Sequence, residues 1–216
     1  MYIQLVIFDM DGVIFEGDNF WIELHKLFGT ERQGLFLAKK YMQSSYEYMA
    51  SIVAGRLWKG KESSAYEKLI KERIYHPGIK KVFDYLHQRH ILSAIISTGS
   101  FDLAKRAQLE LGIDEIRANK LEIENGILTG KVDIQVVEGQ KYKIGLELVS
   151  AFNTLPQCTA FVGDSDSDID LAKVVYLPIA YNSKSVELNT VAKYSLAYGN
   201  LEGIINILNQ NREFSD

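Results

Sequence analysis

Tyr2-Ile3-Gln4-Leu5-Val6-Ile7-Phe8 runs directly into Asp9-Met10-Asp11-Gly12. The first seven residues are β-prone and mostly apolar, the pattern of a strand buried on both faces of a parallel sheet. Asp9 and Asp11 fall where that strand ends and the chain turns at Gly12. In open α/β sheets this edge is where ligands bind. Two carboxylates one residue apart there can share a divalent cation and act on a phosphate. Asp and Gly also end strands for purely local reasons, so the meaning of the pair rests on the remainder of the chain.

Downstream of Gly12 the pattern changes. From about Asn19 to Ile74 it is helical, with no convincing strand. Asn19 caps a stripe of Phe20, Trp21, Leu24, Leu27 and Phe28 that stops at Gly29, and further stripes cover Leu35 to Tyr41, Tyr46 to Val53 and Ala65 to Ile74. Pro77-Gly78 closes this aromatic-rich segment. Strands and helices then alternate. Ile91 to Ile96 is a second buried strand, followed by Ser97-Thr98-Gly99-Ser100, and Thr159 to Val162 is a third, ending in Gly163-Asp164. Asn125-Gly126 between two β-prone runs predicts a hairpin. A helix is expected over roughly Lys143 to Phe152, with strands at Leu177 to Tyr181 and Tyr194 to Leu196 and a last helix after Asn200. The expected fold is therefore α/β: a doubly wound parallel sheet, residues 1–13 and 79–216, carrying an inserted all-helical cap, residues 14–78.

Composition fits an ordinary globular protein. The 216 residues are 47% hydrophobic and 24% charged, with a net charge of -4. That balance points to neither a nucleic acid nor a membrane as partner. The single cysteine, Cys158, excludes an intrachain disulfide and reads as a small core residue. The apolar N-terminus has no basic flank and is cut by Asp9 and Asp11, so it reads as structure rather than leader, and the expected location is cytoplasmic.

In a parallel sheet the ends Asp9-Met10-Asp11, Ser97-Thr98-Gly99 and Gly163-Asp164 converge on one edge. Asp9 suits a nucleophile towards phosphorus, and Asp11 a general acid and base that protonates the leaving alkoxide and deprotonates water. Asp164 completes a magnesium site with Asp9 and Asp11. Ser97 and the amides of Thr98 and Gly99 are expected to bind phosphoryl oxygens, and a lysine, Lys141 or the less favoured Lys143, to balance charge. Asp168 reads as a carboxylate assisting the metal site, and Asp166 as solvent-facing or a helix cap. His25, His76, His87 and His90 show no metal spacing and are expected at the surface or at helix ends.

This set of motifs resembles the haloacid dehalogenase-like superfamily of phosphohydrolases. The match runs through Phe8-Asp9-Met10-Asp11-Gly12-Val13, Ile96-Ser97-Thr98-Gly99, Lys141, and Gly163-Asp164 with Asp168. The helical insert, Ala118-Asn119-Lys120-Leu121 and Leu128-Thr129-Gly130 are similar to the phosphoserine phosphatase-like branch. The resemblance implies a magnesium-dependent phosphatase that forms an aspartyl-phosphate on Asp9, with Asp11 also ligating magnesium through its backbone carbonyl. The implied partner is a small-molecule phosphomonoester, and the implied assembly a monomer or homodimer.

Departures bear on specificity. Thr98 stands where that branch usually has Gly, and Ser167 where Asn is frequent. The amine-reading glutamate would fall near Asp18 or Glu16, and the carboxylate-reading arginine at Val53, with Arg56 one helical turn later. Trp21, Tyr48 and Trp58 are candidates to line the substrate pocket. A phosphoserine phosphatase proper remains one alternative. Another is a receiver-like phosphoacceptor module, although receivers lack both the Asp-x-Asp pair and a helical insert.

Overall fold

The computed structural model describes residues 2–17 and 19–211. Seven strands form one sheet: β1 (Leu5–Phe8), β2 (Leu92–Ser100), β3 (Glu115–Glu124), β4 (Ile127–Asp133), β5 (Thr159–Gly163), β6 (Leu177–Tyr181) and β7 (Tyr194–Leu196). Their order is β4-β3-β2-β1-β5-β6-β7, parallel throughout except for the antiparallel β3–β4 hairpin. Asn125 and Gly126 turn that hairpin with φ of 50° and 76°, the left-handed pair that matches strand twist. β1 sits at the centre between β2 and β5. Because Phe8 lies opposite both Ile95 and Val162, the three strands deliver Asp9, Ser97 and Asp164 to the same edge. The chain builds β2 to β4 on one side of β1 and β5 to β7 on the other, so this edge is a topological switch point.

Alternation along β1 feeds two cores. Val6 and Phe8 join one apolar cluster with α5 (Ile79–Gln88), α6 (Phe101–Leu111) and α10 (Gly203–Gln210). Leu5 and Ile7 join the other with α7 (Lys141–Ala151), α8 (Ile169–Ala172) and α9 (Val186–Val191). Helices on both faces make the sheet doubly wound, as the βα alternation predicts. Several boundaries differ from the sequence reading, three of them in elements that lead to the functional edge. β1 starts at Leu5, leaving Tyr2 half-exposed; β2 continues through Ser100; and α7 begins at Lys141. The extension of β2 contains a register shift between Ile96 and Ser100 against β3, which bows residues 97–99 out of the ladder.

Between β1 and α5 lie α1 (Phe20–Leu27), α2 (Glu31–Tyr41), α3 (Tyr46–Ile52) and α4 (Ser64–Glu72). Asn19 caps α1 by accepting from the Trp21 amide. The insert docks on the hairpin tip through main-chain bonds, Gly60 to Leu128, Leu128 to Lys61 and Ser63 to Gly126. The Tyr66 hydroxyl meets Ser100 and Asp102, both at 2.7 Å. Its apolar residues Phe20, Leu24, Val53 and Tyr66 belong to the main core rather than to a separate one.

One local feature was not foreseen: α3 runs straight into a π-helical turn, Val53–Trp58. In an α-helix residues five apart point about 140° away from each other. The i→i+5 pattern of a π turn brings them into line, and Val53 and Trp58 are accordingly buried together while Arg56 is exposed.

His25 lies in the last turn of α1, a helix end as expected, but it is buried, and so is His76. The His25 ring lies 4.6 Å from Trp58, shares a 2.8 Å hydrogen bond with Thr30 Oγ1, and leaves no room for a side chain at Gly34. Burial pushes its pKa from 6.5 down to about 4. The fold therefore binds fewer protons at this site than the unfolded chain. The stabilisation is complete above pH 6.5 and is lost as pH falls from there towards 4. Urea denaturation across that window, followed by tryptophan fluorescence, should show a loss of up to about 3 kcal/mol that H25Q lacks. Parallel pH profiles for the two proteins would refute the assignment.

Candidate active site

The centre of the site is a buried cation. Lys141 is the first residue of α7, and its Nζ lies 2.8 Å from Asp9 Oδ1 and 2.7 Å from Asp168 Oδ1. All three side chains are almost fully enclosed. Asp168 Oδ2 in turn accepts from the amides of Asp164 and Ser165 at 2.9 and 3.1 Å, so the turn after β5 is wound around this carboxylate. Ser165 and Asp168 complete a reciprocal capping box there. Lys143, the less favoured candidate, is exposed and bonded to Gln140.

Asp9, Asp164 and Asp168 each bring a carboxylate oxygen within 4.8 Å of the others. Three carboxylates share one ammonium here, so ionising all of them would leave two negative charges uncompensated in a buried cluster. Burial, against the pull of Lys141 and with Asp168 adding to it, pushes Asp9 up to about 7; burial and then the charges of Asp9 and Asp168 push Asp164 up to about 8. The same surroundings hold Lys141 above the usual lysine range, its two carboxylate partners outweighing its burial.

The Asp11 carboxylate stands outside that trio. Its Oδ2 accepts from the amide of Phe20 at 2.9 Å, at the start of α1, and its Oδ1 lies 3.3 Å from Arg73 Nη2. Burial raises its pKa, while Arg73 and the Phe20 amide pull it down. Arg73 also pairs with Glu23 of α1 at 2.5 Å, so Asp11 is held entirely by groups from the insert.

One motif glycine is dictated by its backbone and surroundings, and a second is closely approached. Gly12 has φ of 81°, and a Cβ there would sit 2.3 Å from Asp164 Oδ2. A Cβ on Gly99 would meet Met10 Cε at 2.7 Å and Asp11 Oδ2 at 3.2 Å. The Gly99 amide donates to Ser97 Oγ at 3.0 Å. Gly99 is not among the residues that line the cleft holding the other motif residues.

That cleft, about 730 Å³, is lined by Asp9, Asp11, Ser97, Thr98, Lys141 and Asp164, together with Glu16, His76, Lys184 and Tyr198. Asp166 is exposed and accepts from Ser185. Asp18 lies outside the described residues, and Glu16 is tied to Tyr198 at 2.6 Å. Arg73 and His76 escaped the sequence reading. Both follow α4 and precede Pro77-Gly78, where the chain re-enters the core, and nothing in their spacing marks them as partners of Asp11 or of the cleft.

A second cavity, about 420 Å³, adjoins the first, sharing Asn19, Thr98 and residues 165–167 with it. Trp21 and Trp58 line it, whereas Tyr48 is exposed on the outside of the insert. The Thr98 carbonyl at the junction accepts from Trp21 Nε1 at 2.8 Å, Tyr46 Oη at 3.3 Å and Asn119 Nδ2 at 3.1 Å.

Comparison with known proteins agrees with this geometry. The family model for haloacid dehalogenase-like hydrolase matches residues 6–173. A phosphoserine phosphatase of Archaeoglobus fulgidus is 29% identical over 213 residues, covering 98% of this chain, which spans only 61% of that protein's length. One from Idiomarina loihiensis is 29% identical over 209 residues, 96% of this chain and 94% of its own. A solved phospho-aspartyl intermediate analogue of phosphoserine phosphatase superposes with a TM-score of 0.82 at 25% identity, over 96% of this chain and 99% of that one.

Removing one member of a buried ion cluster leaves the others uncompensated, a loss of about 3 kcal/mol. K141M should therefore lower unfolding stability by about that amount in urea, and K143M by less than about 0.5 kcal/mol. Equal losses would mean that the Lys141 cluster contributes no specific stabilisation.

Proposed function

The chain belongs to the haloacid dehalogenase-like hydrolases, and on that premise we propose that it is a magnesium-dependent phosphomonoester hydrolase working through an aspartyl-phosphate on Asp9. The observation that carries this reading is the Lys141–Asp9–Asp168 cluster, beside Asp164 and one residue from Asp11, at the switch point of the sheet.

In this mechanism Asp9 attacks phosphorus while Lys141 holds one of its oxygens and offsets the charge that gathers as the substrate arrives. Ser97 donates its hydroxyl to a phosphoryl oxygen, with Thr98 beside it. Asp11 gives its proton to the leaving oxygen as the ester P–O bond breaks. It then takes a proton from water, whose oxygen attacks the aspartyl-phosphate and releases inorganic phosphate and free Asp9. Burial of Asp11, against the pull of Arg73 and the Phe20 amide, suits a group that must carry a proton in one half-reaction and release it in the other.

The donor set fits a hard divalent cation: carboxylate oxygens, no sulfur or imidazole in the trio, and a surplus of two negative charges once all three are ionised. Asp9 and Asp164 would hold magnesium through carboxylates and Asp11 through its main-chain carbonyl. Asp168 is already occupied by Lys141 and two amides and would support them. Magnesium would supply charge neutralisation at the phosphoryl group. Residues 14–78 act in this reading as a cap over the strand ends, excluding water. The enzyme would work in the cytoplasm on a small-molecule phosphomonoester, as a monomer or homodimer. Among the described residues no helix is long and apolar enough to cross a membrane.

Two experiments test the chemistry. D9N should abolish turnover of p-nitrophenyl phosphate without changing the fold by circular dichroism, and EDTA should inactivate the native enzyme until magnesium is restored. Near-normal activity in D9N, or in a metal-free preparation, would refute the reading. D11N should lose about 10²-fold or more on an alkyl phosphate and much less on p-nitrophenyl phosphate, whose leaving group needs little protonation. Equal losses would assign Asp11 a structural role.

A further inference from the structure

The second cavity is built from unlike chemistry. Trp21, Met42, Met49, Val53, Trp58 and Leu121 give it apolar walls, and among the described residues no lysine or arginine lines it. The indole and phenol polar atoms are already engaged. Trp21 Nε1 and Tyr46 Oη donate to Thr98 O, and Trp58 Nε1 donates to Thr30 Oγ1 at 3.2 Å, the hydroxyl to which His25 Nδ1 is also bonded. What the tryptophans offer a ligand is their faces. The charged groups at the cavity are carboxylates, those of Glu31, Glu138 and Asp166, which repel an anionic substituent. Arg56, the arginine nearest in sequence, is turned out to solvent by the π turn. Trp21 and Trp58 pack on one another at 5.8 Å rather than flanking a gap, so they form no aromatic cage for a quaternary ammonium, and phosphocholine enters the test below as the cationic competitor that the carboxylates would favour.

The cavity opens to the catalytic cleft at Asn19, Thr98 and residues 165–167. A phosphoryl group held between Asp9 and Ser97 would have this chamber beside it, across the shared residues. Its volume, about 420 Å³, is well above the ~150 Å³ of an apolar protein cavity that takes up benzene. We propose that the chamber receives the leaving group of the substrate and that this group is uncharged and apolar, an aryl or alkyl alcohol of about six to ten carbons. The inference rests on the phosphomonoesterase reading above. It also excludes an amino acid as the moiety for which the chamber is shaped. The reaction balances with water alone: the ester P–O bond breaks, the alcohol leaves with a proton, and inorganic phosphate follows.

The test is a kcat/KM series with magnesium over ethyl, butyl, hexyl and 2-phenylethyl phosphate, with phosphoserine, phosphocholine and acetyl phosphate alongside. One buried methylene contributes about a fourfold gain. Hexyl phosphate, four methylenes longer, should therefore exceed ethyl phosphate by about 250-fold, and phosphoserine should fall at or below the ethyl level. A50F, on a half-buried position of the chamber wall, should cut the hexyl-to-ethyl ratio at least tenfold, and V53R should shift preference towards phosphoserine. A flat chain-length series, or phosphoserine or phosphocholine as best substrate, overturns the inference while leaving the phosphatase reading standing. If no ester and no acetyl phosphate turns over, that reading fails instead, and binding decides the chamber. Both tryptophans of the chain line it, so hexylphosphonate should perturb their fluorescence with a Kd at least tenfold below that of ethylphosphonate. Equal Kd values would overturn the inference on that route.

Discussion

An ammonium buried among carboxylates is the constraint around which this molecule is arranged. Desolvating Lys141 costs several kcal/mol unless partners stand within hydrogen-bonding distance, and Asp9 and Asp168 do so at 2.8 and 2.7 Å. They come from chain segments more than a hundred residues apart, so the requirement reaches across the fold. The end of β1, the first turn of α7 and the turn after β5 must meet at one point. Parallel pairing of β1 with β5 brings two of the three together by register alone. Asp168 then spends its second oxygen on the amides of Asp164 and Ser165, which fixes the main chain carrying the Asp164 carboxylate and leaves Gly12 no room for a side chain.

Asp11 belongs to a different network. Its partners, Phe20 and Arg73, both come from the insert, and Arg73 bridges on to Glu23. The two aspartates, one residue apart in sequence, thus answer to different parts of the molecule: Asp9 to the sheet and its return helices, Asp11 to the helices laid over it. A similar division runs through space. The cleft on the sheet side is polar and charged, the chamber on the insert side is apolar, and the Thr98 carbonyl, with donors from both Trp21 and Asn119, marks where they join.

The sheet and its functional edge were legible because their signals are local. Continuous apolar runs identify strands buried on both faces, and Asp, Ser and Gly after each run mark the edge at which they end. Asn19 as a cap and Asn125-Gly126 as a turn are also rules of short range. What was missed depends on distant contacts. Arg73 looks like any basic residue at the end of a helical stripe until α4 delivers it to Asp11. His25 and His76 look solvent-facing until Trp58 and Tyr181 cover them. The engagement of the Gly99 amide follows from a bulge that no residue in 97–99 announces. The π turn escaped because Tyr46 to Val53 reads as an α-helix, and the extra residue registers only in which side chains end up buried.

That turn has a consequence for how such a protein can change over generations. A π turn is an α-helix holding one residue too many. Deleting a single codon between positions 53 and 58 would restore the α-helical pattern and leave Val53 and Trp58 four apart, still on one face. What changes is the set of side chains within the wide turn itself. Asp9, Lys141 and Asp164 sit on the sheet and its connections, outside the helix concerned, and such a deletion leaves their backbone untouched. One-codon insertions and deletions in this helix are therefore a route for remodelling the chamber while the phosphate end stays as it is.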